Sequence, residues 1–328
     1  MSYNKRIPDI TYKGVSNIDI IEIETDDGVV IETTIKTKVK IKKIHDKKIE
    51  WTRIGSVQMK YDVTEEFQIR LCSNEEQIIE SIEKIVELAQ DNEIDILCFP
   101  EFIVSFNNFN KTKHILEKIS KISKNMIIIL GTYYLNDENI CPIIIDGIIY
   151  KEVKKSIPSR FESKPIGDMK SGDTIYVYKT TYGDFCIFIC RDIEILPKRI
   201  LDTIFLHNKE IHLIITPEYN PQSKNYQKIA SDLVNENECY LILSNRSKKD
   251  NHYGGSSIFG KIHDDVHRSL INKGYKSNQS PPFLIIETNT DEQIIWVDVC
   301  LSYRAPILGT TTRRPNSIIG DLGRIEIK

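Results

Sequence analysis

"YGDFCIFICRD", residues 182–192, sets the reading of the chain. A glycine opens an apolar run that ends on Cys190, and Arg191 and Asp192 follow at once. An unbroken apolar run of this kind suits a strand buried on both faces, inside a sheet that other layers cover. The abrupt change to charge marks the strand's end, and in open α/β sheets ligands gather beyond the carboxyl ends of the strands. Two readings of Cys190 stand side by side. It is a small core residue, or it is a thiol placed where the buried scaffold meets an active site.

Strands and helices alternate on both sides of this stretch. Upstream, "IGSVQMKY" (54–61) reads as a strand. "SNEEQIIESIEKIVELAQDN" (73–92) reads as a helix, opened by a Ser73–Glu76 capping box and carrying Ile78, Ile82, Ile85, Leu88 and Ala89 at helical spacing. "IDILCF" (94–99) is a short buried strand that runs into Pro100 and Glu101. "KTKHILEKISKISK" (111–124) is a second amphipathic helix, and "CPIIIDGIIYKEVKK" (141–155) reads as a hairpin turning at Asp146-Gly147. Downstream, "IHLIITPEYN" (211–220), "SKNYQKIASDLVNENE" (223–238) and "CYLILSN" (239–245) read as strand, helix and strand. Crossovers mixed with hairpins predict mixed sheets covered by helices, an α/β four-layer αββα sandwich. The strand-end residues are then Glu101, Cys190, Glu218 and Asn245.

The 328 residues are 40% hydrophobic and 28% charged, a globular composition long enough to bury a large core without metal or disulfide staples. A formal net charge of -3 gives no reason to expect a nucleic-acid partner. The seven cysteines are odd in number, lack a CxxC pair and lie mostly in apolar runs, which suits reduced thiols in a cytoplasmic protein. The first residues, "MSYNKRIPDITYKG", hold no signal-peptide-like apolar stretch, and no run is long enough for a membrane span. "IIEIETDDGVVIETTIKTKVKIKKI" (20–44) alternates around an Asp27-Gly28 turn and predicts an N-terminal β-hairpin. Its Lys36, Lys38, Lys40 and Lys42 share one face, read as an exposed face that guards a sheet edge. "HDDVH" (263–267) has histidines at helical spacing but follows a strand and reads as a loop, so no metal site is expected there.

Three segments carry residues suited to acyl transfer. Glu101 ends a strand between Phe99 and Phe102, where apolar neighbours would raise its pKa and fit it for proton transfer near neutrality. Lys155 follows Gly147 across an amphipathic strand. Cys190 would be the nucleophile, with the backbone N–H of Arg191 pointing at the oxyanion if the chain turns into a helix there. Together Glu101, Lys155 and Cys190 resemble the Glu–Lys–Cys triad of the nitrilase, or carbon–nitrogen hydrolase, superfamily. "IGSVQMK", "FPE", "DGIIYKEVKK", "RFESKPIGDMKSGD", "YGDFCIFICRD", "ITPEYN", "NENECYLILSN" and "GGSSIFG" are similar to that family's segments and stand in the same order.

The resemblance covers roughly residues 53–305, leaving a β-rich extension over 1–52 and a C-terminal tail over 306–328. It implies the αββα fold of the nitrilase type with an extra N-terminal β-hairpin, no cofactor, and a homodimer or larger homo-oligomer. It also implies a small-molecule amide, carbamoyl compound or nitrile as substrate, and Glu162 as a second glutamate beside Lys155. The chain departs from the family pattern at Arg191-Asp192-Ile193-Glu194 and at Glu218. Arg191, Glu218 and Tyr219 are therefore the expected substrate-binding residues, with a mutual or a local ion pair as the competing reading for Glu218 and Arg191. The same thioester chemistry would serve an acyltransferase, and a third reading keeps the fold as a partner-binding module.

Overall fold

The structure, a computed structural model, describes residues 17–20, 23–24, 30–31, 35–45, 49–66, 69–159, 162–163, 167–197, 211–237, 239–248, 252–260, 283–289, 291–301, 304–306, 313–315 and 319–327. The expected hairpin turn at Asp27-Gly28 and the "HDDVH" segment lie outside these residues. Two eight-stranded mixed sheets form the centre of the molecule. The first runs, in spatial order, Asn17–Ile20, Ile35–Lys43, Thr174–Thr180, Gly183–Ile187, Leu213–Pro217, Tyr240–Ser244, Ser257–Phe259 and Leu284–Glu287. The strand Gly183–Ile187 that leads to Cys190 lies parallel to Leu213–Pro217, and that strand is parallel to Tyr240–Ser244.

The second sheet runs Tyr133–Leu135, Glu138–Ile145, Ile127–Ile129, Ile96–Cys98, Trp51–Gln58, Gln293–Cys300 and Ile319–Glu326, with Ile148–Lys154 paired to Glu138–Ile145. Its centre, Trp51–Gln58, Ile96–Cys98 and Ile127–Ile129, is parallel. Alternation of side chains explains the continuous apolar runs there. Ile96, Cys98, Ile127 and Ile129 belong to the core that includes the first sheet, whereas Leu97, Phe99, Ile128 and Leu130 pack under the helices Glu75–Asp91 and Phe109–Ile122. Those helices bury Ile78, Ile82 and Ile85, and Ile115, Leu116 and Ile119. Each such side chain contributes about 1.5–3 kcal/mol of burial. The helix Ser223–Asn237 adds Ala230, Leu233 and Val234 to the core around the first sheet. Helices, two sheets and helices make the expected αββα order.

Serines bond the two sheets together close to the strand ends. Ser56 Oγ donates to Leu243 O at 2.6 Å. Ser244 Oγ lies 2.6 Å from Val57 O and 2.9 Å from Cys98 O, so its one proton is shared between neighbouring strands of the second sheet. These bonds satisfy buried hydroxyls and hold the residues after Cys98 against those after Ser244.

Several local expectations are corrected. The Ser73–Glu76 capping box does not form: Asn74, at φ 58°, is the cap residue without a side-chain cap bond. Ser73 Oγ instead donates to Asp62 O at 2.9 Å. The N-terminal hairpin exists as Asn17–Ile20 paired with Ile35–Lys38, continued by Ile23–Glu24 paired with Val30–Ile31. Its lysine face is not wholly solvated, since Lys42 pairs with Glu152 and sits 4.2 Å above the Tyr150 ring. The segment read as a C-terminal tail supplies the strand Ile319–Glu326, antiparallel to Gln293–Cys300, and the Arg313–Pro315 strand pairs with Arg304–Pro306. Gly320 and Gly323 in that strand mask its period, and they sit where added side chains would strike Trp51 and Trp296. Among the described residues no helix is long and apolar enough to cross a membrane. All seven cysteines are buried and free.

Candidate active site

The turn after Ile96–Cys98 carries Glu101 inward, and its side chain is 1% exposed. Three contacts fix the turn. Glu101 N donates to Glu218 O at 3.1 Å, and Tyr61 OH donates to Glu101 O at 2.5 Å. Gly131, at φ 58°, lets the neighbouring strand end pass so close that an added Cβ would lie 2.1 Å from Pro100 O. The phenyl rings expected to surround the carboxylate do not supply its partners. Lys155 Nζ and Asn139 Nδ2 each donate to Glu101 Oε1 at 2.9 Å. Phe102, at φ 65°, stacks on Tyr134, ring centroids 5.8 Å apart.

Lys155 arrives from the Asp146-Gly147 hairpin. Both turn residues have positive φ, 49° and 80°, as the tight hairpin requires. The backbone N of Lys155 donates to the backbone O of Asn139 at 2.9 Å, so the residue whose side chain touches Glu101 also anchors the lysine. Its Nζ donates to Glu162 Oε2 at 2.8 Å as well as to Glu101. Burial works against the charged ammonium, but Glu101 and then Glu162 outweigh it and hold Lys155 well above the ordinary lysine range. Glu162 is itself buried, yet Lys155, the Tyr134 hydroxyl and Ser159 N at 2.7 Å lower it to about 2. Asn139 Nδ2 reaches Glu162 Oε1 at 3.2 Å and closes the network.

Cys190 follows Gly183–Ile187 and leads into helical backbone over 192–197, which meets the condition set for the Arg191 N–H. It has φ 47°, a conformation an L-residue adopts only when its surroundings compensate. They do so through Cys190 N donating to Pro217 O at 2.9 Å and through Asp192. Asp192 Oδ1 accepts from Ile157 N at 2.7 Å and Ser156 N at 3.1 Å, and Oδ2 accepts from Ile189 N at 3.2 Å. One carboxylate therefore clamps the turn after Lys155 to the turn around Cys190. Burial pushes the Cys190 thiol well above its ordinary pKa and Glu101 adds to this; Lys155 and a hydrogen bond from the Tyr219 backbone pull the other way.

Glu101, Lys155 and Cys190 line one cavity of about 330 Å³, although they lie far apart in the chain. Arg191 and Tyr219 line it too, with Tyr226 and Tyr253 completing an aromatic wall. Glu162 stands behind Lys155. Glu218 does not line the cavity, contrary to its expected substrate-binding place. It is 1% exposed, its Oε1 has no partner among the described residues, and burial raises its carboxyl well above the ordinary range, with help from Glu101 and Glu194. Of the competing ion-pair readings for Arg191, the local one is found among the described residues, with Arg191 Nε 3.5 Å from Glu194 Oε2. Sequence reasoning missed Asn139, Tyr134, Gly131 and Arg246. Arg246 is buried against Tyr61, Tyr219 and Tyr253, and its Nη1 donates to Tyr219 OH at 3.3 Å. Among the described residues no group of three or more His, Cys, Asp or Glu side chains could hold a metal ion.

No family model and no curated protein matches the chain. Solved structures do. The NitFhit protein of C. elegans is similar with a TM-score of 0.56 and 16% identity, over 78% of this chain and 62% of that one. Nit3 of Saccharomyces cerevisiae, a member of branch 10 of the nitrilase superfamily, is similar with a TM-score of 0.53 and 16% identity, over 77% and 91% of the two chains. The chain has the nitrilase fold. An amidase from Nesterenkonia sp. AN1 shares that fold at a TM-score of 0.55 and 12% identity, over 76% of this chain and 90% of its own. Its structure shows covalent addition of the acetamide moiety of fluoroacetamide at the active-site cysteine. The chain spans less than two thirds of NitFhit, so the nitrilase fold is the whole of what that likeness conveys.

Proposed function

We propose that the protein hydrolyses a non-peptide carbon–nitrogen bond, in a small amide or carbamoyl compound and by extension a nitrile, through a thioester on Cys190. The observation that carries this reading is the shared cavity: a carboxylate, an ammonium and a thiol from three separate strand ends surround one space. In a mutant of the similar amidase the active-site cysteine takes up the acetamide moiety of fluoroacetamide covalently, which supports a nucleophilic role for a cysteine in this fold. Because burial keeps the Cys190 thiol protonated at rest, its proton must leave as it attacks.

In the proposed cycle Glu101 takes that proton while Sγ bonds to the carbonyl carbon. The oxygen becomes an oxyanion facing Lys155 Nζ and the Arg191 N–H. Collapse breaks the carbon–nitrogen bond, and Glu101 passes its proton to the departing ammonia or amine. Water then attacks the thioester, Glu101 accepts a water proton, the acid leaves, and the thiol is restored by that proton. Glu162 stays ionised throughout and holds Lys155 charged. Asn139 bridges the two carboxylates by donating to both.

The test is ammonia release from a panel of small amides, carbamoyl compounds and nitriles, with Cys190→Ala as the control. Release by the wild type and none by the variant is the expected result. Release that persists in Cys190→Ala, or no release from any compound, overturns the reading. Product analysis with added amines separates hydrolysis from acyl transfer.

A further inference from the structure

We infer that Arg246, which does not line the cavity, sets its width by bracing the tyrosine wall from outside. On the reading of that cavity as the site of reaction, on which this inference rests, Arg246 is a positioning residue that governs which molecules fit. The wall comes from three separate segments. Val63 follows the strand Trp51–Gln58, Tyr219 follows Leu213–Pro217, and Tyr253 lies in the loop after Tyr240–Ser244; all three line the cavity. What they share is the Arg246 guanidinium. It lies 5.6 Å from the Tyr61 and Tyr219 ring centroids and 4.8 Å from that of Tyr253. Nη1 donates to Tyr219 OH at 3.3 Å, and Nη2 faces Oδ1 of Asp62, the neighbour of Val63, at 3.4 Å.

The backbone fixes Arg246 in this place. Asn245 Oδ1 accepts from Arg246 N at 3.0 Å and from Asn220 N at 3.1 Å. Its Nδ2 donates to Asn220 O at 2.9 Å and to Gly254 O at 3.0 Å. Arg246 O accepts from Gly254 N at 3.0 Å, and Ser247 N donates to Met59 O at 2.9 Å. The segments that carry Val63, Tyr219 and Tyr253 are all tied to residues 245–247. Tyr253 itself has φ 62°, a conformation an L-residue keeps only where its surroundings impose it. Here its N donates to Pro221 O at 3.2 Å, and its ring meets that of Tyr219 at 4.9 Å.

An ordinary ion pair does not explain the arginine. The Asp62 side chain is 55% exposed, so water screens its charge. Arg246 Nε is buried and has no hydrogen-bond partner among the described residues. The guanidinium is held chiefly by ring faces, and a planar cation can attract several of them at once. Without it Tyr219 and Tyr253 keep their mutual contact and lose the anchor that fixes their distance from Tyr61–Val63. The opening between those segments then widens.

The experiment compares alkylation of Cys190 by iodoacetamide and by the bulkier N-phenyl iodoacetamide in the full chain. Each reagent loses iodide as Sγ bonds to its methylene carbon, and the thiol proton passes to the buffer. Rates at the Cys190 peptide are read by mass spectrometry and normalised to those of free cysteine, for wild type, Arg246→Met, Arg246→Lys and Val86→Ala. Val86 is buried on the helix Glu75–Asp91 and does not line the cavity, so Val86→Ala controls for general loosening. Thermal melts show which forms are folded, and ammonia release from acetamide, butyramide and hexanamide is followed in parallel.

The wild type should favour the small reagent, and Arg246→Met should cut that preference about tenfold. Arg246→Lys should cut it less, by about threefold, and decides alone if Arg246→Met does not fold. Val86→Ala should keep the wild-type preference. A preference unchanged or increased in the Arg246 variants, or lost equally in Val86→Ala, overturns the inference, as does a Cys190 that neither reagent labels in any form. The expected loss of preference without ammonia release from any amide would leave the braced wall standing and sink the proposed hydrolysis instead.

Discussion

The inner end of the cavity and its rim are built differently. At the inner end Glu101, Lys155, Glu162 and Asn139 are almost fully buried and bonded to one another at 2.8–3.2 Å. Every partner sits on a strand or on a turn tied to a strand. At the rim Arg191 Nε meets Glu194 at 3.5 Å, and Tyr219 OH accepts from Arg246 at 3.3 Å. Buried polar networks are stable only when satisfied, which suits groups that must hold one geometry for chemistry. Looser contacts can be exchanged for a ligand's atoms at little cost. On the proposed reading the contrast separates machinery from selectivity.

Four measurements would sharpen that contrast or break it. The largest effect belongs to Cys190→Ala, which should lower turnover by about a thousandfold or more while leaving the fold intact. A variant with wild-type rates would remove the inner end's claim to be machinery. Lys155→Met comes next, because it strands two buried carboxylates together. It should destabilise the protein by about 3–5 kcal/mol in denaturant titrations as well as stop turnover, and a loss under about 1 kcal/mol would mean the network is not the tight one described.

Glu162 provides a pH test. Lys155 and the hydrogen bonds lower its folded pKa to about 2, below the ordinary value of 4.5. Its contribution to stability is complete above 4.5, and it is lost as pH falls through that window towards 2. Glu162→Gln should therefore flatten stability against pH between about 5 and 2. An unchanged slope would show that other groups govern the acid limb. The smallest effect is expected at the rim, where Tyr219→Phe keeps the ring and removes the bond from Arg246. Stability should change by about 0.5–1.5 kcal/mol, and KM should move more than kcat. A collapse of kcat would move Tyr219 from the rim to the machinery.

The sequence made the layered fold legible because apolar runs, helical spacing and turn residues act over neighbouring positions. The Asp146-Gly147 hairpin and the helices Glu75–Asp91 and Phe109–Ile122 lie close to where their patterns place them. Ser73 shows where such rules fail: its side chain had a partner outside the helix, the Asp62 carbonyl, and so the capping box was not made. The strand Ile319–Glu326 was hidden because glycine, needed beside tryptophan rings, breaks the pattern of alternation.

Glu101, Lys155, Cys190 and Glu162 carried a signal in the sequence, and the structure brings them together; Asn139 and Tyr134 carried none. Asn139 and Tyr134 lie in a hairpin with no motif of their own, and they reach Glu162 only because Glu138–Ile145 is the neighbour of Ile148–Lys154. Glu218 stood at a strand end, like Glu101, and was expected at the pocket for that reason. Its carboxyl lies outside the cavity lining, while its backbone holds Glu101 in place.

By itself, the sequence determined the order of strands and helices and the chemical types at the strand ends, since periodicity and turn chemistry are local properties. Only the tertiary structure decided which strand ends meet, which two carboxylates receive the lysine, and which residues line the cavity. Those outcomes depend on sheet order and on desolvation, and both arise from contacts between residues distant in the chain.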